Sequence, residues 1–246
     1  MNDIFFSDLG IIEYGKAWEI QEALMQHNLS LKAAAYNEPK VVSPQSIGTR
    51  NYLLFCTHPH VLTLGKSGLM EHLLLNDNRL KELNISFYKT NRGGDITYHG
   101  PGQLVGYPIL DLELFFTDLG KYMRCLEEVI IRTLAHFGIE AGRLKGATGV
   151  WLDAELPGKA RKICAMGVRC SRWITIHGFA LNINTNLNYF NYIVPCGIGD
   201  KAVTSMQQEL GKVMDEEQVR EVVRKEFSTV FEAQLHTNHQ ELSKFF

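Results

Sequence analysis

Apolar and polar positions recur with two periods along this chain of 246 residues, and the two periods divide it into strands and helices. Residues 11–14 predict a short strand. A helix is predicted over 16–29, where Ile20, Leu24 and either Ala23 or His27 share a face. Residues 30–48, with Pro39, Pro44 and Gly48, predict a long loop. Strands follow at 51–56 and 61–64, joined through Thr57, His58, Pro59 and His60, and Gly65 to Gly68 close the second. Two more, at 85–89 and 103–110, flank a glycine-rich stretch whose glycine density excludes both strand and helix.

Asp118 is placed to cap a helix carrying Tyr122, Leu126, Val129, Ile130, Thr133 and Phe137 on one face, and Gly138 stops it. Strands are predicted at 149–152, at 163–168 and from 173 through 184, with a solvent-facing hairpin tip at 155–159. Asp215 and Gln218 form a capping box for a last helix whose Val219, Val222, Val223, Phe227 and Val230 face inward. The tail, 237–246, is expected to be loose. Strands outnumber helices and several are sequence neighbours, so the expected class is α+β, with mixed sheets and helices on one side. No repeat or linker interrupts the chain, which predicts one domain over 1–246.

An apolar content of 45% and a charged content of 21% are those of a water-soluble globular protein. Lys+Arg 25 against Asp+Glu 27 leaves a net charge of -2, which gives no footprint for bulk nucleic-acid binding. No apolar run approaches the ~18 to 20 residues of a membrane span, and the acidic N-terminus lacks the form of a secretory signal. The five cysteines are odd in number and lack a C-x-x-C pair, as expected of a reduced, cytoplasmic chain without disulfide framework or structural zinc. His58 and His60 have no Cys or carboxylate at ligand spacing and read as structural; no metal is expected. Gly65-Lys66-Ser67 lacks the upstream glycine of a phosphate-binding loop.

Candidate chemistry gathers in three loops. The first is Arg92-Gly93-Gly94-Asp95-Ile96-Thr97-Tyr98-His99-Gly100-Pro101-Gly102-Gln103, long for a hairpin turn and rich in backbone that a ligand can approach. The second surrounds Lys162, beside Arg161. The third is Val194-Pro195-Cys196-Gly197. Proline and glycine on either side leave the Cys196 thiol on a turn, and a nearby cation would favour its thiolate. From the residues alone, Cys196 is either a nucleophile or a buried bystander. Lys162 reads more simply as a solvated lysine at a strand end.

Four blocks in order, R-G-G-D-I-T-Y-H-G-P-G-Q-L-V-G-Y-P (92–108), R-K-I-C-A-M-G-V-R (161–169), H-G-F-A-L-N-I-N (177–184) and V-P-C-G-I (194–198), resemble the signature blocks of lipoyl(octanoyl) transferases. The similarity runs from about Tyr14 to Gln208. It implies the biotin/lipoate protein ligase catalytic-domain fold and the transfer of an octanoyl group through a cysteine thioester, the first step of endogenous protein lipoylation. The implied donor is octanoyl-acyl carrier protein. The implied acceptors are lysines of lipoyl domains in 2-oxoacid dehydrogenases and of the glycine cleavage H protein. No cofactor is implied.

Position by position, the resemblance makes Cys196 the acyl-accepting nucleophile and Lys162 the group that lowers its pKa and shuttles protons. It makes Arg92, Gly93, Gly94, Asp95, Ile96, Thr97, Tyr98, His99, Ala165, Met166, Gly167, Gly178, Phe179 and Ala180 the acyl-substrate pocket. Residues 30–48 and 154–160 look longer than the family's pattern. Lys159, Arg161, Lys162, Arg169 and Arg172 are expected to give the mouth a positive field suited to acidic partners. Two alternatives remain: an ATP-dependent lipoate or biotin ligase of the same fold, and a non-catalytic relative that binds acylated carriers.

Overall fold

The computed structural model describes residues 2–37, 43–156, 158–194 and 202–237. In chain order these form β1 (Asn2–Ile11), α1 (Tyr14–Tyr36), β2 (Asn51–Thr57), β3 (Val61–Leu64), α2 (Asp77–Glu82), β4 (Ser86–Lys89), β5 (Ile96–His99) and β6 (Gln103–Ile109). There follow α3 (Leu119–His136), β7 (Gly142–Leu144), β8 (Ala147–Leu152), β9 (Arg161–Ser171), β10 (Ile174–Asn182), β11 (Ala202–Val203), α4 (Met206–Leu210), α5 (Glu216–Val230) and β12 (Ala233–Thr237). The larger sheet has the order β12-β1-β2-β6-β10-β9-β8-β7, and β11 pairs with the start of β9. It is parallel from β12 to β2 and antiparallel from β2 to β7. A second sheet, β4-β3-β5, stands apart from it. The class is α+β with mixed sheets.

Every residue of β2 and of β6 is buried, so alternate positions of each strand supply two cores. On one face Ala17, Ile20, Leu24 and Met25 of α1 pack on Tyr52, Leu54, Val105, Tyr107, Ile176 and Ala180. On the other, α3 and α5 bring Leu126, Val129, Ile130, Val223 and Phe227 against Leu53, Phe55, Leu104, Phe179 and Leu181. Helices therefore cover both faces of the large sheet, not one as expected. The reason is visible in the strands themselves, which are apolar at nearly every position and not at alternate ones.

The caps at α3 and α5 form as expected. Asp118 accepts from the Lys121 N–H, and Asp215 accepts from those of Glu217 and Gln218. Other expectations need correction. The first strand lies at 2–11, before the predicted 11–14, and α1 begins at Tyr14. That helix continues to Tyr36 because its last turns bury polar groups, which an apolar period cannot register. Lys32 Nζ donates to Asp111 Oδ1 at 2.6 Å, Glu113 Oε2 at 3.1 Å and Arg172 O at 3.0 Å. Within the glycine-rich stretch, β5 occupies the glycine-free tetrad 96–99 and pairs antiparallel with β3. The short elements α2, α4, β7 and β12 carry too few residues for a period and were not foreseen.

Candidate active site

A pocket lies where β5 and the loop before it meet β6, β9 and β10. Arg92, Gly94, Asp95, Ile96, Thr97, His99, Lys162, Ala165, Met166, Gly167, Gly178, Phe179 and Ala180 line it. Two of the expected lining residues do other work. The Gly93 N–H donates to Val168 O at 2.9 Å, which pins the loop to β9. Tyr98 turns away, with its hydroxyl 2.8 Å from His60 Nδ1 and its ring stacked on Tyr189 at 4.9 Å. Cys196 lies outside the described residues.

Sheet register brings the separate blocks together. Ala165, Met166 and Gly167 of β9 stand opposite Ala180, Phe179 and Gly178 of β10. Ala180 also pairs with Val105 of β6, so Val105, Ala180 and Ala165 form a row of small apolar side chains across three strands. Such a row leaves a slot that hydrocarbon can fill. A Cβ on Gly167 would stand 2.6 Å from Gly93 O, so the glycine is what lets the loop approach β9 this closely.

The loop is fixed from beneath as well. The N–H groups of Gly65, Lys66 and Ser67 donate to the carbonyls of Asp95, Arg92 and Gly94. The G-K-S segment therefore spends its donors on the loop, in keeping with the rejected phosphate reading. Arg92, nearly buried, donates from Nη2 to Thr63 O at 2.6 Å and Thr63 Oγ1 at 2.9 Å. Asp95 accepts from the Ile96 N–H and pairs with His72 Nδ1 at 2.6 Å.

Lys162 is the second residue of β9. Its Nζ lies 4.6 Å from the centre of the Trp151 ring, a cation–π contact. Gly149, in the left-handed region at φ 111, lies close against β9 beside the lysine stem: a Cβ there would stand 2.5 Å from Cys164 O. Lys162 pairs with Val203, and its carbonyl accepts from the Thr204 N–H at 2.9 Å. On the other side, the Val194 N–H donates to His72 O at 2.9 Å. The described residues flanking 195–201 are thus held at two pocket-lining groups, Lys162 directly and Asp95 through His72.

Apart from Gln103, which ends the first candidate loop, sequence reasoning passed over the polar side of the pocket, formed with Tyr14, Tyr107, His177 and Asn182. Gln103 Nε2 donates to Tyr98 O and to Asn182 Oδ1, so its Oε1 accepts from His99 Nδ1 at 2.8 Å. Asn182 in turn donates to Thr204 O. A hydrogen-bonded line therefore runs from His99 to the anchor beside Lys162. Burial, with Arg92 and His58 adding to it, pushes His99 down to about 3, which leaves a neutral ring in the pocket. Gln103, His177 and Asn182 lie within the quoted blocks, and their polarity in otherwise apolar strands was the available signal.

The expected positive mouth is only partly present. Arg161 pairs with Asp153 and, at 2.6 Å, with Glu209 Oε2; Arg169 pairs with Glu22 at 2.8 Å. Arg172 lies past the far end of β9 from Lys159, so the five cations do not form one patch. Among the described residues no group of His, Cys, Asp and Glu is arranged to hold a metal ion, and no helix is long and apolar enough to cross a membrane.

The chain is similar to known proteins over nearly its whole length. It is 52% identical over 237 residues to the "Octanoyltransferase" of Cytophaga hutchinsonii, covering 96% of each chain. It is 55% identical over 233 residues to the "Octanoyltransferase" of Flavobacterium johnsoniae, covering 94% of this chain and 98% of that one. Its fold matches the bi-partite lipoate protein ligase of Thermoplasma acidophilum, with a TM-score of 0.69 at 14% identity over 99% of this chain and 89% of that one. A lipoate-protein ligase A solved with ATP matches with a TM-score of 0.67 at 13% identity, over 99% and 92% of the two chains. The family model described as "Lipoyl protein ligase A/B catalytic domain" matches residues 13–228. With the three blocks at 92–108, 161–169 and 177–184 converging on one pocket and this match spanning most of the chain, the protein belongs to the lipoyl protein ligase A/B catalytic-domain family.

Proposed function

We propose that the protein is an octanoyltransferase of protein lipoylation, with Cys196 the nucleophile and Lys162 its proton-carrying partner. The observation that carries the reading is the convergence of Lys162, the Val105–Ala180–Ala165 row and both anchors of the 195–201 segment on one pocket. Cys196 is two residues beyond Val194, a reach of about 7 Å at full extension.

The chemistry proceeds in two transfers. The Cys196 thiolate attacks the octanoyl thioester of an acyl carrier protein, a C–S bond forms as the carrier's C–S bond breaks, and the departing thiolate takes a proton from the Lys162 ammonium. The ε-amine of a lipoyl-domain lysine then attacks the acyl-cysteine. The amide forms, Cys196 leaves as thiolate, and neutral Lys162 takes the amine's proton. One thioester is exchanged for another before the downhill amide step, so no nucleotide is consumed. Backbone N–H groups near Cys196 and Gly197 are the donors for the tetrahedral oxyanion. Burying some seven methylene-scale groups at about 0.8 kcal/mol each supplies roughly 5 to 6 kcal/mol toward binding a medium chain. The acceptors are lipoyl domains of 2-oxoacid dehydrogenases and the glycine cleavage H protein, and the reaction is cytoplasmic.

An ATP-dependent ligase would make an acyl-adenylate and has no use for a nucleophilic cysteine, and relatives at about half identity are named for octanoyl transfer. Intact-mass analysis after mixing with octanoyl carrier protein tests the proposal. The wild type should gain one octanoyl group and Cys196→Ser none; a gain in the variant would remove Cys196 from its role. Lys162→Ala should lower transfer by about two orders of magnitude or more without unfolding the chain. Turnover near the wild-type rate would end its part in the mechanism.

A further inference from the structure

At the end of the pocket away from Lys162 stands an acceptor that a saturated chain cannot use. His177 is 1% exposed, lines the pocket and pairs with Val168 of β9. Six strand positions from Lys162 to Val168 span about 20 Å, of which the lysine stem and the histidine ring each take part. A chain whose carbonyl lies at Lys162 therefore runs over the Ala165–Ala180–Val105 row with its tail toward His177.

The ring is aimed there by a backbone exception. Along β10, Ile174, Ile176 and Ala180 belong to the α1 face, and Phe179 and Leu181 to the other. By count residue 177 belongs with the latter. At φ 60 it takes the left-handed conformation and turns to α1 instead, its N–H donating to Gln21 Oε1 at 2.9 Å and its ring 6.1 Å from that of Trp18. Non-glycine residues held in this region cluster at functional sites.

Its tautomer is set by two further residues. Asn91 Nδ2 donates to Glu22 Oε1 at 2.8 Å, so Asn91 Oδ1 is an acceptor. The contact of His177 Nε2 with that oxygen, at 2.6 Å, is therefore an N–H donation. Glu22 is itself held by Trp18 Nε1 and Arg169. This leaves His177 Nδ1 a bare lone pair, buried and without a hydrogen-bond partner among the described residues. Arg92 lines the same pocket, and its guanidinium helps burial to keep the His177 ring neutral.

We propose that His177 Nδ1 is a specificity-determining acceptor at the tail end of the acyl pocket, which recognises a medium-chain acyl group carrying a hydroxyl donor near its tail. Glu22 and Asn91 are positioning residues for it. The proposal rests on the acyl-transfer reading and refines its substrate class. In a purely apolar pocket a tail hydroxyl would be rejected about tenfold or more, because its water contacts are lost without replacement. With His177 Nδ1 to accept from it, the hydroxylated chain should equal or exceed the plain one.

The test is a competition between octanoyl and ω-hydroxyoctanoyl thioesters of a carrier protein, read as the ratio of kcat/KM values in the wild type. A ratio for the hydroxylated chain at or above one is expected; a ratio below one overturns the proposal. Asparagine tolerates left-handed backbone, so His177→Asn keeps the fold while withdrawing the acceptor, and its ratio should fall roughly fivefold, the worth of one net hydrogen bond. An unchanged ratio in this variant assigns the preference elsewhere and likewise overturns it. Transfer of plain octanoyl is the internal control: its absence in the wild type would reject the acyl-transfer reading, whereas its presence with a ratio below one rejects only the role of His177.

Discussion

Gly65 shows how a single missing methyl shapes the pocket. A Cβ there would stand 2.2 Å from Gly94 O and 2.8 Å from Arg92 Nη1, and the carbonyl belongs to backbone that cannot swing aside. Gly65→Ala should therefore displace the glycine loop, costing about 1 to 3 kcal/mol of stability as overpacked sites do. Acyl transfer should fall at least tenfold, since a shift on the scale of 1 Å at a positioned site is enough for that. Activity and melting temperature both at wild-type values would show that the contact relaxes freely. At this scale the chain was partly legible: Gly93, Gly94 and Arg92 stand out by composition, and the blocks mark Lys162. Gly65 does not, because the atoms it must avoid come from residues 92 to 94 and meet it only across the fold.

Among the elements, α1 is the clearest case of structure exceeding pattern. Apolar period predicts its middle and misses its last turns, which are held by ionic and polar contacts. Lys32 and Asp111 are both fully buried, and Thr49 Oγ1 and the Glu113 N–H also donate to that carboxylate. Removing one partner of a buried pair leaves the other charge uncompensated. Lys32→Met should destabilise the fold by about 3 kcal/mol or more, measured by urea unfolding. A loss under about 1 kcal/mol would mean that the remaining donors suffice for Asp111. The caps of α3 and α5 needed no such tertiary help, because a cap residue and the N–H it serves are two or three positions apart.

Across the molecule as a whole, three histidines among the described residues are held far below the usual imidazole range by burial, and burial lowers His60 as well. Burial pushes His58 down to about 4, and His99 and His177 to about 3. Each binds its proton more readily when unfolded, so its contribution to stability is present above about pH 6.5 and is lost as the pH falls toward the folded value. At pH 5 the loss is about 2 kcal/mol per ring, large against a total stability of roughly 5 to 15 kcal/mol. Thermal unfolding should shift to markedly lower temperature between pH 7 and pH 5. A melting temperature that is flat or rises over that interval would show that these rings are not desolvated as described.

Local information in the chain determined the strands with continuous apolar runs, the capped helices, the α+β class and, through four short blocks, the family. Each depends on residues a few positions apart, whose spacing the sequence states directly. Tertiary structure decided what depends on distant residues meeting: helices on both faces of the sheet, the full length of α1, and the pairing of 165–167 with 178–180. It also turned His177 into the pocket. Strand alternation points that residue elsewhere, and only the left-handed turn of its backbone, with Gln21 and Asn91 holding it, brings the ring to the acyl slot.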